Sequence, residues 1–291
     1  MLKKKNFQNR TGYIWMDGRF VKWSKAKIHV LSHGLHYASC VFEGARVYNG
    51  KIFKLKEHTK RLFFSSKTLG FKLPYSEKKI NDACEKLIKK QNIINGYLRP
   101  FAWRGSEMMA ISAQNTTIHV AIATWKMSSY FNKTKKNNGI KLNTSKWRRP
   151  PSSTAPTQAK AAGLYMICTL SKHAAEKRGF DDSLMLDYDG YVAESTGANI
   201  FFVKKNKLYT PIADCFLNGI TRKTVIHLAK KNNIKVIEKR VTPKELLSAD
   251  EIFLTGTAVE ITPVSQIDKK KFEVGVVTKK LISFFSNLVE K

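Results

Sequence analysis

Lys160 sits in Gln158-Ala159-Lys160-Ala161-Ala162-Gly163, a run of small residues just ahead of an apolar helical stretch. An average lysine is a solvated surface charge, and the company of Lys160 is what singles it out. Glu194 lies within Glu194-Ser195-Thr196-Gly197-Ala198, which reads as a turn of small residues, and Arg61 lies on a helix. Two further turns are suited to an anion: Gly219-Ile220-Thr221, which opens a helix, and Thr255-Gly256-Thr257-Ala258, which ends a strand. Backbone N–H groups at a helix start point outward and the helix dipole favours negative charge there, so a phosphate fits such a place. Each signal also has an ordinary reading. Thr221 serves equally as a plain N-cap, Gly256-Thr257 as only a turn, and Arg61 as a helix-surface cation.

The elements that must position these residues come in two sets. Tyr13–Met16, a turn at Asp17-Gly18 and Arg19–Trp23 read as a hairpin, and Asn49-Gly50 marks another tight turn. A helix follows over His58–Leu69, and Ser76 caps a second with Ile80, Ala83, Cys84, Leu87 and Ile88 on one face. Tyr97–Trp103 and Thr117–Trp125 are strand-like runs of β-branched and aromatic residues. Ser128–Gly139 is polar, basic and poor in aliphatics, as an interdomain linker is.

Beyond it, Ala161–Lys177 reads as a helix carrying Leu164, Ile167, Cys168 and Leu170. Strands over Ser183–Leu186, Asn199–Val203 and Glu251–Thr255 accompany a helix over Arg222–Lys231. Thr242-Pro243-Lys244-Glu245 is a capping box with proline at the first helical position.

Taken in order, His36-Tyr37 with Phe42-Glu43-Gly44, Glu57-His58 through Arg61-Leu62, Tyr97-Leu98-Arg99-Pro100, Ala159-Lys160-Ala161, Glu194 to Asn199, Leu217 to Arg222 and Gly256 to Pro263 resemble the branched-chain amino acid aminotransferases, a class IV pyridoxal phosphate (PLP) family. The likeness runs nearly end to end. It implies a mixed α/β fold, the two-domain fold type IV architecture of these PLP enzymes with the active site at the domain interface. The expected division is a smaller N-terminal domain over 1–127, a linker over 128–139 and a larger PLP-binding domain over 140–291.

Carried over position by position, the resemblance implies that Lys160 holds pyridoxal 5'-phosphate as a Schiff base and moves the proton of the amino acid's α-carbon. Such a lysine must be able to be uncharged near neutral pH, which desolvation or a nearby cation favours. Glu194 would pair with the pyridine nitrogen, Tyr165 would hydrogen-bond the phenolic oxygen and Leu217 would pack on the ring. Arg61, Ile220, Thr221 and Thr257 would hold the phosphate. Tyr97, Arg99 and the Thr257-Ala258 amides would meet the substrate's carboxylate, with Phe42, Tyr37 and Tyr130 or Trp125 lining the side-chain pocket. One pocket must take an aliphatic side chain and, in the other half-reaction, glutamate's carboxylate; Arg99 is the cation for the latter. The activity implied is transfer of the amino group of L-leucine, L-isoleucine or L-valine to 2-oxoglutarate. D-amino acid aminotransferases and aminodeoxychorismate lyases of the same class share the lysine, the glutamate and the phosphate turns and differ in the pocket. A homodimer or larger homo-oligomer is implied too, with Tyr37 reaching the partner's pocket.

The 291 residues, 43% of them hydrophobic, suffice for two domains with sizeable cores. A net charge of +30 would suit a non-enzymatic nucleic-acid-binding protein, the reading from another class, but the lysines are dispersed and clusters such as Lys133, Lys135, Lys136 and Lys269–Lys271 read as loops. No specific nucleic acid is therefore expected. No stretch approaches the roughly 18 apolar residues of a membrane span, and the basic start Met1–Arg10 lacks the apolar segment of a secretory signal, so a cytoplasmic location is expected. Cys40, Cys84, Cys168 and Cys215 are widely separated, which indicates neither a metal site nor a disulfide framework.

Overall fold

The computed structural model describes residues 6–290, so the first five residues of the basic start lie outside it. The chain forms two compact units, one of residues 1–128 and 159–163 and the other of 129–158 and 164–291.

The first unit contains β1 (Tyr13–Met16), β2 (Arg19–Lys22), α1 (His33–His36), β3 (Cys40–Phe42), β4 (Ala45–Tyr48), β5 (Lys51–Ile52), α2 (Leu55–Thr68), α3 (Glu77–Lys90), β6 (Gly96–Arg104) and β7 (Ile118–Lys126). Its sheet runs β2-β1-β7-β6-β4-β5, with β3 also pairing β6. Both hairpin turns form at the expected pairs, and Asp17, Gly18, Asn49 and Gly50 all have the positive φ that such two-residue turns need. Ser76 accepts a hydrogen bond from the Lys79 N–H at 3.2 Å, and Ile80, Ala83, Cys84, Leu87 and Ile88 are the buried face of α3.

Side chains alternate across a strand, and β6 uses both of its faces. Leu98 and Ala102 join Val41, Ala45, Val47, Leu62 and the buried face of α3 in one apolar core. Tyr97, Arg99, Phe101 and Trp103 therefore project from the opposite face. Helices thus cover one side of the sheet and leave aromatic and cationic side chains on the other.

The second unit contains α4 (Lys133–Asn138), β8 (Ile140–Thr144), α5 (Met166–Lys177), β9 (Asp182–Leu186), β10 (Val192–Ser195), β11 (Asn199–Lys204), β12 (Lys207–Pro211), α6 (Ile220–Lys231), β13 (Val236–Lys239), α7 (Pro243–Leu247), β14 (Glu251–Gly256), β15 (Glu260–Ile267), β16 (Lys270–Lys271) and α8 (Val276–Glu290). Its sheet follows β10-β9-β8-β15-β14-β11-β12-β13, and β10 also pairs β11 through Glu194 and Asn199. That extra pairing joins strands at two points of the path, so six strands close on themselves. Ile140, Leu142, Leu184, Val192, Ile200, Phe202, Ile252, Leu254 and Val264 fill one core of this unit, while Phe201 and Phe253 stack at 5.2 Å on the alternate face.

Three expectations change here. The lysines of 133–136 are not in a loop: they lie on α4, where Lys135 pairs with Asp181 and Lys136 with Glu260. Lys270 and Lys271 form the short strand β16. The helix expected from Ala161 begins instead as a 3-10 turn over Ala162–Tyr165 before α5, and Leu170 is exposed while Cys168, Ser171 and Ala175 face inward.

Candidate active site

In the first unit, Lys160 is tied by its backbone to two elements. Its N–H donates to Ser65 Oγ of α2 at 3.0 Å, and its carbonyl oxygen accepts from the Phe42 N–H at 3.1 Å. Val41 and Ala161 form a bridge, and the flanking Ala159 and Ala161 are buried, as only small side chains allow so close to β3. The ammonium stands 4.8 Å from the centroid of the Phe42 ring. Burial, and then the charge of Arg61, lower the pKa of Lys160 to about 8 against the opposing pull of Glu43. An amine in that range is available as a nucleophile and base near neutral pH.

Arg61 does not stand on an exposed helix face. Its Nε and Nη2 donate to the Glu43 carboxylate at 2.5 and 2.9 Å, and Glu43 is completely buried. His58, one helical turn before Arg61, shares Glu43 Oε2 through Nδ1 at 2.7 Å. Burial alone would raise the Glu43 carboxyl, but the Arg61 charge and the hydrogen bonds from His58 and Arg61 outweigh it and hold the group well below the usual carboxylate range. Burial lowers the His58 pKa, and the Glu43 hydrogen bond only partly offsets this. The sequence alone assigns Glu43 and His58 no task. The three-residue spacing of His58 and Arg61 is visible in it, but their shared acceptor lies 15 and 18 positions away.

Phe42, Tyr97, Arg99 and Trp125 form a second group in the same unit. The guanidinium of Arg99 lies 4.9 Å from the Phe42 centroid and 5.5 Å from that of Tyr97, and Tyr97 leans on Trp125 at 5.2 Å. Arg99 Nε is buried without a hydrogen-bond partner among the described residues, a donor that an arriving carboxylate would satisfy. Phe42 thus has the Lys160 and Arg99 cations at 4.8 and 4.9 Å from its ring centre. Tyr37 makes a different contact, stacking on His33 at 4.5 Å with 45% of its surface exposed. Burial, opposed by Arg99, pushes the Cys40 thiol up to about 11, so it stays protonated.

In the second unit, Glu194 is a residue of strand β10, not of a turn; the bend follows it at 196–198. Its carboxylate is buried beside Arg149 Nε at 3.5 Å and accepts from Asn199 Nδ2 at 3.2 Å. The same Nδ2 donates to the Leu217 carbonyl at 2.9 Å, and Asn199 Oδ1 accepts the Gly219 N–H at 3.2 Å. Asn199 therefore joins Glu194 to the loop that opens α6. Neither Arg149 nor Asn199 stands out in the sequence as a functional residue.

Gly219 is the N-cap of α6, which makes Ile220 and Thr221 its first two helical residues and removes Thr221 from the N-cap position. The first N–H groups of a helix have no partner within it, so this end presents donors. A β-carbon on residue 219 would fall 2.3 Å from Asn199 Oδ1, which is why glycine stands there. Thr257 and Ala258 occupy the turn between β14 and β15, closed by the Gly256–Glu260 pair. Just before it, Thr255 Oγ1 is buried without a hydrogen-bond partner among the described residues. Tyr165 ends the 3-10 turn before α5, Leu217 is half-buried, and Tyr130 meets Phe131 edge to face at 4.9 Å with 43% of its surface exposed.

The family model for amino-transferase class IV matches residues 40–267. The branched-chain-amino-acid aminotransferase of Pseudomonas aeruginosa is 41% identical over 288 residues, 97% of this chain and 94% of that protein. The enzyme of the same name from Escherichia coli is 36% identical, covering 96% and 93%. Among solved structures, the T.th. branched-chain amino acid aminotransferase with pyridoxamine 5'-phosphate has a TM-score of 0.94 at 37% identity, covering 97% of this chain and 95% of that one. That enzyme has also been solved with N-(5'-phosphopyridoxyl)-L-glutamate and with 4-methylvaleric acid.

Proposed function

The chain belongs to the class IV aminotransferase family, and from that premise we propose that it moves the amino group of L-leucine, L-isoleucine or L-valine to 2-oxoglutarate with pyridoxal 5'-phosphate as cofactor. The observation that carries the reading is Lys160, tied by its backbone to α2 and β3 with its amine over the Phe42 ring, where burial and the charge of Arg61 lower its pKa to about 8. The T.th. relative, solved with a glutamate adduct and with an aliphatic acid, supports the two kinds of side chain that one pocket must accept.

The residues present fit this cofactor. The second unit offers a helix start whose first N–H groups have no partner within the helix and, among the described residues, a buried Thr255 hydroxyl without a hydrogen-bond partner, and the first a lysine amine whose pKa burial and the charge of Arg61 lower. When bound, PLP supplies an electron sink for the negative charge left on the amino acid's α-carbon. In the first unit, Lys160 Nζ would hold the cofactor and would take and return the α-proton, and Arg61 would meet the phosphate. Phe42, Tyr97 and Trp125 wall an apolar pocket, Tyr37 contributes to it, and Arg99 receives a carboxylate. In the second unit, Glu194 would keep the proton on the pyridine nitrogen, Tyr165 would hydrogen-bond the phenolic oxygen and Leu217 would pack on the ring. Ile220, Thr221 and Thr257 would hold the phosphate, the Thr257-Ala258 amides would meet the α-carboxylate, and Tyr130 would add to the aromatic lining.

A homo-oligomer goes with this reading, because the first unit exposes Val30, Leu31, Leu35 and Ile111 at 73, 45, 61 and 88% of their surface. Mass in solution tests it. The compartment we assign is the cytoplasm, with which four free cysteines accord. No helix among the described residues is long and apolar enough to cross a membrane.

The test is a purified, PLP-supplemented protein and a panel of amino donors with 2-oxoglutarate, including both enantiomers of leucine and alanine. L-Leucine, L-isoleucine and L-valine should be the best donors, and borohydride should fix the cofactor to Lys160. A protein that takes up no PLP, or that prefers D-alanine, would overturn the reading.

A further inference from the structure

Glu43 lies between β3 and β4 with none of its surface exposed, and its N–H donates to the Pro100 carbonyl at 2.7 Å. Its carboxylate accepts from Arg61 Nε at 2.5 Å, Arg61 Nη2 at 2.9 Å, His58 Nδ1 at 2.7 Å and the Gly44 N–H at 3.1 Å. A carboxylate withdrawn from water is costly, and a buried ion pair gives no stability that well-packed apolar residues could not. Its benefit must lie in what it orients. Two of its four contacts grip one guanidinium through a planar fork, the geometry that fixes an arginine in direction as well as in place.

We propose that Glu43 is a positioning residue for the cofactor's phosphate: by holding Nε and Nη2 of Arg61 it sets the plane in which that guanidinium meets the phosphate. The proposal rests on the PLP reading above. His58 acts through Glu43, donating to Oε2 from an imidazole that burial favours in its uncharged form.

The fork has a second consequence at Lys160. The charged and titratable groups that act on this amine are Arg61 and His58 from α2, Glu43 beside β3, and Tyr97 and Arg99 from β6. Arg61 lowers the proton affinity of Lys160 and Glu43 raises it. Removing the Glu43 charge takes away the largest pull opposing Arg61 at this amine, so Lys160 should lose its proton at lower pH.

The experiment compares the full-length chain with Glu43→Gln and Glu43→Asp after removal of cofactor. Pyridoxal 5'-phosphate and pyridoxal, which lacks the phosphate, are each titrated in, and borohydride trapping at Lys160 by pyridoxal is followed against pH. In Glu43→Gln the preference for the phosphorylated compound should fall by about tenfold or more, the scale of a charge-assisted hydrogen bond. The trapping midpoint should also move to lower pH. Glu43→Asp keeps the charge one methylene short of the fork, so it should lose preference while its midpoint stays near the parent's. A folded Glu43→Gln with the parent's preference and midpoint overturns the proposal. If Glu43→Gln does not fold, Glu43→Asp decides, and undiminished preference there overturns it equally. A parent chain that neither compound labels at Lys160 would instead sink the PLP reading, and this inference with it.

Discussion

A β-carbon placed on Gly44 would lie 1.9 Å from the phenolic oxygen of Tyr97 and 2.6 Å from the ring carbon that bears it. The phenol of β6 thus rests on the bare backbone of residue 44, directly after the carboxylate that grips Arg61. Tyr97 is only 8% exposed and leans on Trp125, so it has little room to retreat. We predict that Gly44→Ala displaces the phenol and destabilises the chain by about 1–3 kcal/mol, the usual cost of overpacking. Denaturant unfolding and the Michaelis constants for both substrate classes check this. Parent-like values in both would show that Tyr97 moves freely.

Lys160 gives a prediction about pH. Its pKa falls from 10.5 to about 8 on folding. Between those values the unfolded chain binds the proton that the folded chain has released, so this residue makes stability rise with pH over that window. Below about pH 8 it therefore burdens the fold. Lys160→Met should be inactive, yet in cofactor-free form at about pH 7 it should be more stable than the parent, by at most about 3 kcal/mol. The advantage should shrink as pH rises from about 8 to about 10.5. Urea unfolding of both proteins across that range checks it, and a difference independent of pH would contradict a depressed lysine pKa.

Glu194 and Arg149 are a buried pair with Nε and Oε1 3.5 Å apart. Removing one partner of such a pair leaves the other charge without compensation, a loss of about 3–5 kcal/mol. Arg149→Met should lose stability on that scale, and the double variant with Glu194→Gln should lose less than the sum of the two. Glu194→Gln alone should retain PLP and slow α-proton removal strongly, which rapid mixing with leucine would measure. Strict additivity in unfolding would mean that the two groups act independently.

The pattern of residues makes much of this framework legible, for local reasons. The α3 face is buried where its spacing indicates, and Thr242 accepts the Glu245 N–H at 3.2 Å with Pro243 at the start of α7. Caps, turns and helical periodicity act over a few residues and so can be read from them. Glu194 reads as part of a turn because the small residues after it obscure a strand only four residues long. Its position follows from pairing with Asn199, and its charge partner Arg149 comes well before it in the chain, on the far side of α5. Leu170 faces outward because two residues along a helix turn it by about 200°, which sets it opposite the buried Cys168 within α5. The Glu43–Arg61–His58 cluster depends likewise on a strand break meeting a helix. What periodicity cannot convey is the choice of partner.

Arg99 carries the sharpest test of substrate recognition. Its guanidinium lies over the rings of Phe42 and Tyr97, 4.9 and 5.5 Å from their centroids, and Nε has no hydrogen-bond partner among the described residues. A cation held against aromatic faces, with a donor still to be satisfied, can take glutamate's distal carboxylate without making the pocket too polar for an aliphatic chain. We predict that Arg99→Leu raises the Michaelis constant for glutamate and 2-oxoglutarate roughly ten- to a hundredfold, since a charge-assisted hydrogen bond is worth about 1.5–3 kcal/mol. Leucine should be affected far less. The two half-reactions must be measured separately, because the overall rate mixes both substrates. If leucine and glutamate lose equally, Arg99 binds the α-carboxylate common to both, and recognition of the distal carboxylate falls to another residue.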